Sequence, residues 1–312
     1  MGSEMCIRDR MLPREVFVPA TVMQIHTYDP GEVRKIALTL PEAYALDGQI
    51  FPIRDRMRPG NAFLARPWGQ RTKKYRRRMY TRSNCAIDGP RVLETIINDT
   101  HREKADTSPW WQTGAIDHLE SIGGTIEVRV DVDTQAQELV IYENSQKVEP
   151  NNLILETDNE WPTMRILALA FSTGITPFLS YLDYMRRKEF GRIVGCRGVE
   201  FILVASVRNP RHLIQHEELQ AIAAAYPKHF QYIPVLTQEW PKEWEGGKGR
   251  IIKQEGKDRQ EARINLHSLL DLVPNIHECH IRLCGNASAR DQFLEGLYQA
   301  GLATMSFRSE VW

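Results

Sequence analysis

The sequence lacks any apolar run long enough to cross a bilayer. The longest near its middle, Ile166 to Phe171, is a fraction of the ~20 residues a spanning helix needs. It lacks an excess of charge of either sign: 40 Lys and Arg face 40 Asp and Glu, a formal net charge of zero. Nothing therefore draws the whole chain to nucleic acid or to anionic lipid. It lacks a cysteine framework. Its five cysteines (Cys6, Cys85, Cys196, Cys279, Cys284) are odd in number and scattered, with no CxxC and no Cys/His grouping. That pattern argues against disulfide stapling, a zinc site and an iron–sulfur cluster. No apolar signal core stands at the start, so a reducing cytoplasm is the expected compartment.

What is present is an ordinary globular balance. The chain has 312 residues, 42% hydrophobic and 26% charged, enough for about two domains with a core in each. Residues Met1 to Arg10 (MGSEMCIRDR) read as a non-native leader, with the native start at Met11.

The first part, residues 11–158, shows short apolar alternations at 17–24, 33–40, 62–65, 92–97, 125–130 and 138–142. Pro41, Pro59-Gly60, Asp88-Gly89-Pro90 and Gly123-Gly124 break them up. Many short strands between turn residues predict an antiparallel β-barrel. The second part, residues 159–312, opens on the apolar run 165–171, the pattern of a strand buried on both faces. Helical segments at 177–188, 214–226, 268–272 and 289–300 then alternate with strands at 200–206, 230–236 and 278–283. That alternation predicts an α/β domain with a parallel sheet. The boundary falls near 156–162.

Four short patterns carry chemistry. Arg78-Met79-Tyr80-Thr81, with Asn84 beyond it, lies on a strand whose alternation separates Arg78 and Tyr80 from Thr81. A guanidinium can clamp a pyrophosphate, a ring can cover a flat cofactor, and a hydroxyl can bond its edge. An ordinary edge strand with a solvated Arg carries the same letters. Ser172-Thr173-Gly174-Ile175-Thr176-Pro177 follows the buried strand and precedes a helix. A turn of that kind can offer backbone N–H groups to a phosphate, and Pro177 suits the first helical position. A plain strand-to-helix turn reads the same. Cys284-Gly285 stands at the end of another buried strand, where ligands sit in open α/β sheets; a buried structural thiol is the alternative. The chain ends Glu310-Val311-Trp312, either a frayed tail or a ring placed on a cofactor.

In this order and at these separations, the four patterns resemble the ferredoxin–NADP reductase family over nearly all of residues 15–312. R-x-Y-[ST] matches at Arg78, Tyr80 and Thr81. T-G-x-x-P matches at Thr173, Gly174 and Pro177, C-G at Cys284 and Gly285, and the terminal E-x-aromatic at Glu310 and Trp312. The last residue resembles the bacterial branch. Ala170 and Ser172 depart from a family turn richer in glycine. The family's flavin-pyrophosphate segment falls near 114–119, starting at Gly114, with Asp117 where a Ser is usual.

The resemblance implies an FAD-dependent oxidoreductase in which NADP(H), or NAD(H), exchanges a hydride between nicotinamide C4 and flavin N5. A one-electron carrier such as ferredoxin or flavodoxin is the partner. It implies that Arg78, Tyr80, Thr81, Asn84 and Gly114 hold FAD. Thr173, Gly174, Thr176, Pro177 and Gly285 would receive the nicotinamide cofactor. Thr81 would hold N5, Cys284 would border the nicotinamide, Glu310 would manage charge or protons, and Trp312 would stack on the isoalloxazine. Arg208 and Arg250, the latter after a Gly-rich turn at 246–249, would read a 2′-phosphate, with Gln238 where the family often has Arg. The segment 66–82 holds eight basic residues and no acidic one, a dock for an acidic carrier or a solvated loop. Two alternatives stand beside this reading: an NADH-dependent reductase component of an oxygenase, and a non-catalytic flavin-binding relative.

Overall fold

The computed structural model describes residues 15–28, 33–55, 59–69, 71–85, 91–98, 124–141, 164–191, 198–248, 250–253, 260–263 and 266–311. The first part is a curled sheet of β1 (Glu15–Tyr28), β2 (Val33–Thr39), β3 (Ala43–Leu46), β4 (Gln49–Arg54), β5 (Ala62–Ala65), β8 (Arg78–Thr81), β9 (Val92–Asn98), β10 (Thr125–Asp133) and β11 (Glu138–Ile141), with a separate hairpin of β6 (Trp68–Gly69) and β7 (Lys74–Tyr75). Strands β9, β2, β1, β10, β5 and β8 lie side by side in that order, all antiparallel. A single bridge, Arg82 to Thr95, joins β8 back to β9 and closes the barrel. Closure removes the exposed edges an open sheet would present. The barrel core is the inward half of the alternation, with Val18, Val22, Ile36, Leu38, Phe63 and Val128 fully buried.

The second part is a six-stranded parallel sheet built from β12 (Arg165–Phe171), β13 (Glu200–Val207), β14 (Phe230–Leu236), β15 (Gly247–Lys248), β18 (His280–Gly285) and β19 (Ser306–Val311), in the order β15-β14-β13-β12-β18-β19. A separate hairpin, β16 (Arg250–Lys253) and β17 (Gln260–Arg263), stands apart. Helices α1 (Thr176–Arg187) and α2 (His216–Ala225) pack into one face. Helices α3 (Leu266–Leu272) and α4 (Ala287–Gln299) cover the other. The strand order turns back between β12 and β18, the topological switch point where such sheets bind ligands.

The two parts share packing. Val33 and Ile96 of the barrel belong to the same buried cluster as Phe178, Leu182 and Met185 of α1. Polar contacts fasten the seam. Gly60 N–H donates to Ser180 Oγ (3.3 Å), whose hydroxyl donates to the Asn84 carbonyl (2.8 Å), and Cys85 N–H donates to Asp183 Oδ2 (3.1 Å). Among the described residues no helix is long and apolar enough to cross a membrane.

Several expectations need correction. Residues 306–311 form β19, in parallel register with β18, so the frayed-tail alternative does not hold for them. The Gly-rich turn at 246–249 is in part a strand, because Gly247 and Lys248 extend the sheet edge beside Val235 and Leu236. Helix α1 begins at Thr176, so Pro177 is its second residue rather than its first. The hairpin β3–β4 was not anticipated. Its turn, Asp47-Gly48, has both residues in the left-handed region (φ 51° and 80°), the geometry a two-residue hairpin loop requires.

Candidate functional site

The site forms where β8 of the barrel meets the end of β18 and β19. Pairing with β5 sets β8 in place, with Tyr80 opposite Phe63 and Thr81 opposite Ala62. Tyr80 turns toward the barrel, its ring centroid 5.8 Å from that of Phe63. Thr81 faces the other way, and its hydroxyl donates to Glu310 Oε1 at 3.1 Å, across 229 residues of sequence. The Thr81 carbonyl is itself held by the Thr95 hydroxyl at 2.8 Å.

Register places Glu310 beside Cys284, and Val311 beside Gly285. Cys284 is 1% exposed. Burial, and then the nearby Glu310 charge, push its thiol well above the usual range, so it stays protonated. Burial also pushes the Glu310 carboxyl up, with the Thr81 hydrogen bond pulling the other way. Glu310 Oε2 is buried and meets no hydrogen-bond partner among the described residues. A carboxyl with one oxygen satisfied and the other buried and unpaired is costly. That gives Glu310 capacity for one more donor, or for a proton of its own.

Gly285 has a reason of its own. A Cβ there would stand 2.6 Å from the Phe171 Cβ, so only glycine lets the ends of β12 and β18 come this close. Beyond Phe171, residues Ser172–Ile175 form a 3-10 turn leading into α1. Ser172 is exposed and left-handed (φ 55°), a conformation glycine adopts without strain. Gly174 and Ile175 are buried, and the Thr176 hydroxyl donates to the Thr173 carbonyl at 2.6 Å. Thr176 therefore braces the turn.

Other expected site residues fall elsewhere. Asn84 is committed to the barrel. Its Oδ1 accepts from Arg82 Nε (2.8 Å) and Glu94 N–H (2.9 Å), and its Nδ2 donates to the Val92 carbonyl (2.8 Å). Arg208 is exposed at the end of β13, where its carbonyl accepts from Gln238 and Glu239 N–H. Arg250 lies on β16, opposite Arg263. Gly114 and Trp312 lie outside the described residues, as does the segment 114–119 with Asp117. No group of three or more His, Cys, Asp or Glu side chains suited to a metal occurs among the described residues.

The basic segment is less uniform than its composition. Arg82 is 1% exposed and pairs with Asp55 at 2.7 Å, which makes it a core residue of the closing bridge. Arg66 pairs with Glu127 (3.1 Å) and lies 3.4 Å over the Phe17 ring, while Arg77 pairs with Glu15 at 3.0 Å. Lys73 and Lys74 are exposed on the β6–β7 hairpin, with Tyr75 65% exposed beside them. Sequence reasoning missed Arg82 and the α1 clasp residues Ser180 and Asp183. No local pattern marks them, because their partners are distant in the chain.

A closed barrel stands ahead of a parallel sheet, with a hydroxyl, a carboxyl and a thiol near one another at the switch point. Residues 169–289 match the family of oxidoreductase NAD-binding domains. A ferredoxin–NADP reductase of Thermosynechococcus vestitus is 28% identical over 145 residues, 43% of this chain and 37% of that protein. The chain thus matches little more than a third of that relative's length. Among solved structures, an Amycolatopsis cytochrome P450 reductase aligns with a TM-score of 0.64 at 18% identity, covering 97% of this chain and 71% of the other. A Neisseria gonorrhoeae ferredoxin–NADP reductase with bound FAD and NADP aligns with a TM-score of 0.56 at 17% identity, covering 95% and 98%. These likenesses show the shared fold. Residues 169–289 thus carry an oxidoreductase NAD-binding domain, with the barrel before it.

Proposed function

We propose that the protein is an FAD-dependent oxidoreductase that passes electrons between NADP(H) and a one-electron carrier protein. The observation that carries this reading is the Thr81–Glu310 hydrogen bond, which joins the barrel motif to the sheet motif beside Cys284. The site fits a flavin edge, since a hydroxyl and a buried carboxyl oxygen without a partner are suited to a ring nitrogen and its N–H. FAD, when bound, supplies the conversion of a two-electron hydride into single electrons.

The chain's own residues supply binding and order. Arg78 would grip the FAD pyrophosphate and Tyr80 would lie against its ring. Thr81 orients the ring edge, and Glu310 holds a proton or a donor there. Cys284, neutral and buried, gives the nicotinamide a dry wall. Trp312 would cover the ring and give way to the nicotinamide. Thr173 and Gly174 present the turn to the dinucleotide, with Thr176 and Pro177 fixing its shape.

Replacing Arg78 with Ala tests the flavin half. One partner of a charge-assisted clamp is lost, so FAD retention falls at least about tenfold. Full flavin occupancy of the variant after gel filtration contradicts the assignment.

A preference for NADPH over NADH rests on Arg208 and Arg250, because guanidinium suits a 2′-phosphate. Gln238 in place of a third cation keeps that preference modest. The ratio of kcat/KM for the two cofactors, wild type against Arg250→Ala, measures it. NADH as the better wild-type substrate contradicts it, as does an equal loss for both cofactors in the variant.

The carrier we propose is acidic, a ferredoxin or flavodoxin. Lys73 and Lys74, with Tyr75 between them and the site strand, form the cationic and apolar part of the surface left after Arg66, Arg77 and Arg82 are paired internally. The resemblance in fold to a cytochrome P450 reductase supports a second reading, in which the recipient is an oxygenase system.

A further inference from the structure

Away from the Thr81–Glu310 pair, two cavities lie between the barrel and the second domain. The inner one, about 300 Å³, is walled by Val92 of β9, Leu182 of α1 and Ile222 of α2. The outer one, about 580 Å³, is walled by His26 and Tyr28 of β1 and by His216 and Glu217 of α2. Both are lined by Lys35, Glu94, Gln215 and Glu218, so they form one groove. Neither touches Thr81, Cys284 or Glu310.

The groove is chemically uneven. Its outer cavity holds three carboxylates, Glu94, Glu217 and Glu218, and one Lys or Arg, Lys35. Lys35 is already bound to Glu94 at 2.8 Å. Burial favours neutral His216, which leaves Glu217 without help from that ring. Glu94 belongs to the barrel and Glu218 to the second domain. Their fields overlap on Tyr28: burial is the main cause of its raised phenol pKa, and both carboxylates add to it. At the inner end the Ser83 hydroxyl, in a residue only 5% exposed, meets no hydrogen-bond partner among the described residues. Arg186 and Arg187 both lean on Asp183, so the inner cavity is largely neutralised. Val92, Leu179, Leu182, Leu219 and Ile222 give it an aliphatic side.

We propose that this groove binds a linear aliphatic primary ammonium compound carrying a hydroxyl at its far end. The ammonium sits among Glu94, Glu217 and Glu218, against the face of the Tyr28 ring. Carboxylates facing one another across a domain boundary repel, and a cation between them turns that repulsion into a tie. The ring adds a cation–π contribution. The aliphatic chain runs inward along Val92, Leu182 and Ile222. The terminal hydroxyl reaches Ser83 and gives that buried group the partner it lacks. Such a ligand fastens the two domains together without touching the redox site.

Calorimetric titration of the full-length protein with aminopentanol, pentylamine and the diamine cadaverine tests the proposal. Aminopentanol is expected to bind, with pentylamine about fivefold weaker for want of the hydroxyl. Cadaverine should bind more weakly than aminopentanol, because its second ammonium meets Arg186 and Arg187. The double variant Glu217→Gln/Glu218→Gln should weaken all three about tenfold while its melting temperature stays near the wild-type value. Ser83→Ala should erase the advantage of aminopentanol over pentylamine. The proposal is overturned if no amine binds at millimolar concentration, or if the double variant binds as the wild type does. A hydroxyl advantage that survives Ser83→Ala also overturns it. Because the titration reads binding alone, its failure leaves the flavin reading untouched.

Discussion

Changing Gly60 to alanine lowers the stability of the protein by about 2–5 kcal/mol. Two costs add. Gly60 has φ +77°, a left-handed conformation that an L-residue adopts at a cost of about 1–2 kcal/mol. A Cβ there would also stand 2.8 Å from the Tyr181 ring. That ring is 2% exposed and belongs to the cluster shared by the two domains, so it has little room to retreat. Forcing an atom into such packing costs about 1–3 kcal/mol. Gly48 supplies the control: its φ is +80°, and nothing lies within 4 Å of its Cβ position. Gly48→Ala therefore loses only the conformational share. Thermal unfolding of the two variants separates the terms, and equal losses would mean that the Gly60–Tyr181 contact contributes nothing.

The second large effect is at Glu310. Glu310→Gln keeps the shape and the acceptor for Thr81 but removes the titrating group. Turnover with a protein carrier should fall about 10- to 100-fold, within the range a positioned acid or base contributes. Stability should move the other way. The folded carboxyl pKa is raised, by burial first. Its favourable contribution is thus fully present below the unfolded value of about 4.3, and it is lost as pH rises through the folded pKa. At neutral pH the wild type carries the cost of holding charge on a buried carboxylate, which the neutral amide avoids. Glu310→Gln should therefore melt higher than the wild type near pH 7.5 and converge with it near pH 4. Parallel melting curves at both pH values would place the carboxylate in water.

Much of this was legible in the sequence, for physical reasons. Strands β1 and β10 bury alternate residues over most of their length, and period-two alternation is what a barrel wall writes into a sequence. Strands β12 and β13 are covered on both faces, so they read as continuous apolar runs. The edge strand β19 was illegible: SFRSEV is only half-buried throughout, and its pairing comes from β18. Arg82 looked like one more surface cation. Its partner Asp55 is distant in sequence, and nothing local reports a buried ion pair. The same holds for the clasp of Gly60, Ser180 and Asp183. Motif order grouped Thr81 with Glu310, and a hydrogen bond joins the two side chains. Motif order also suggested Asn84 for the cofactor; its side-chain amide bonds to Arg82, Glu94 and Val92 of the barrel.

The central claim is that Thr81, Glu310 and Cys284 frame a flavin that NAD(P)H reduces. It is tested most directly by loading the purified protein with FAD, removing excess by gel filtration, and adding NADPH or NADH without oxygen. The account predicts that the protein retains about one FAD per chain and that its visible flavin band bleaches within seconds of adding a nicotinamide cofactor. A colourless protein after filtration, or a bound flavin whose band neither cofactor bleaches, would contradict it.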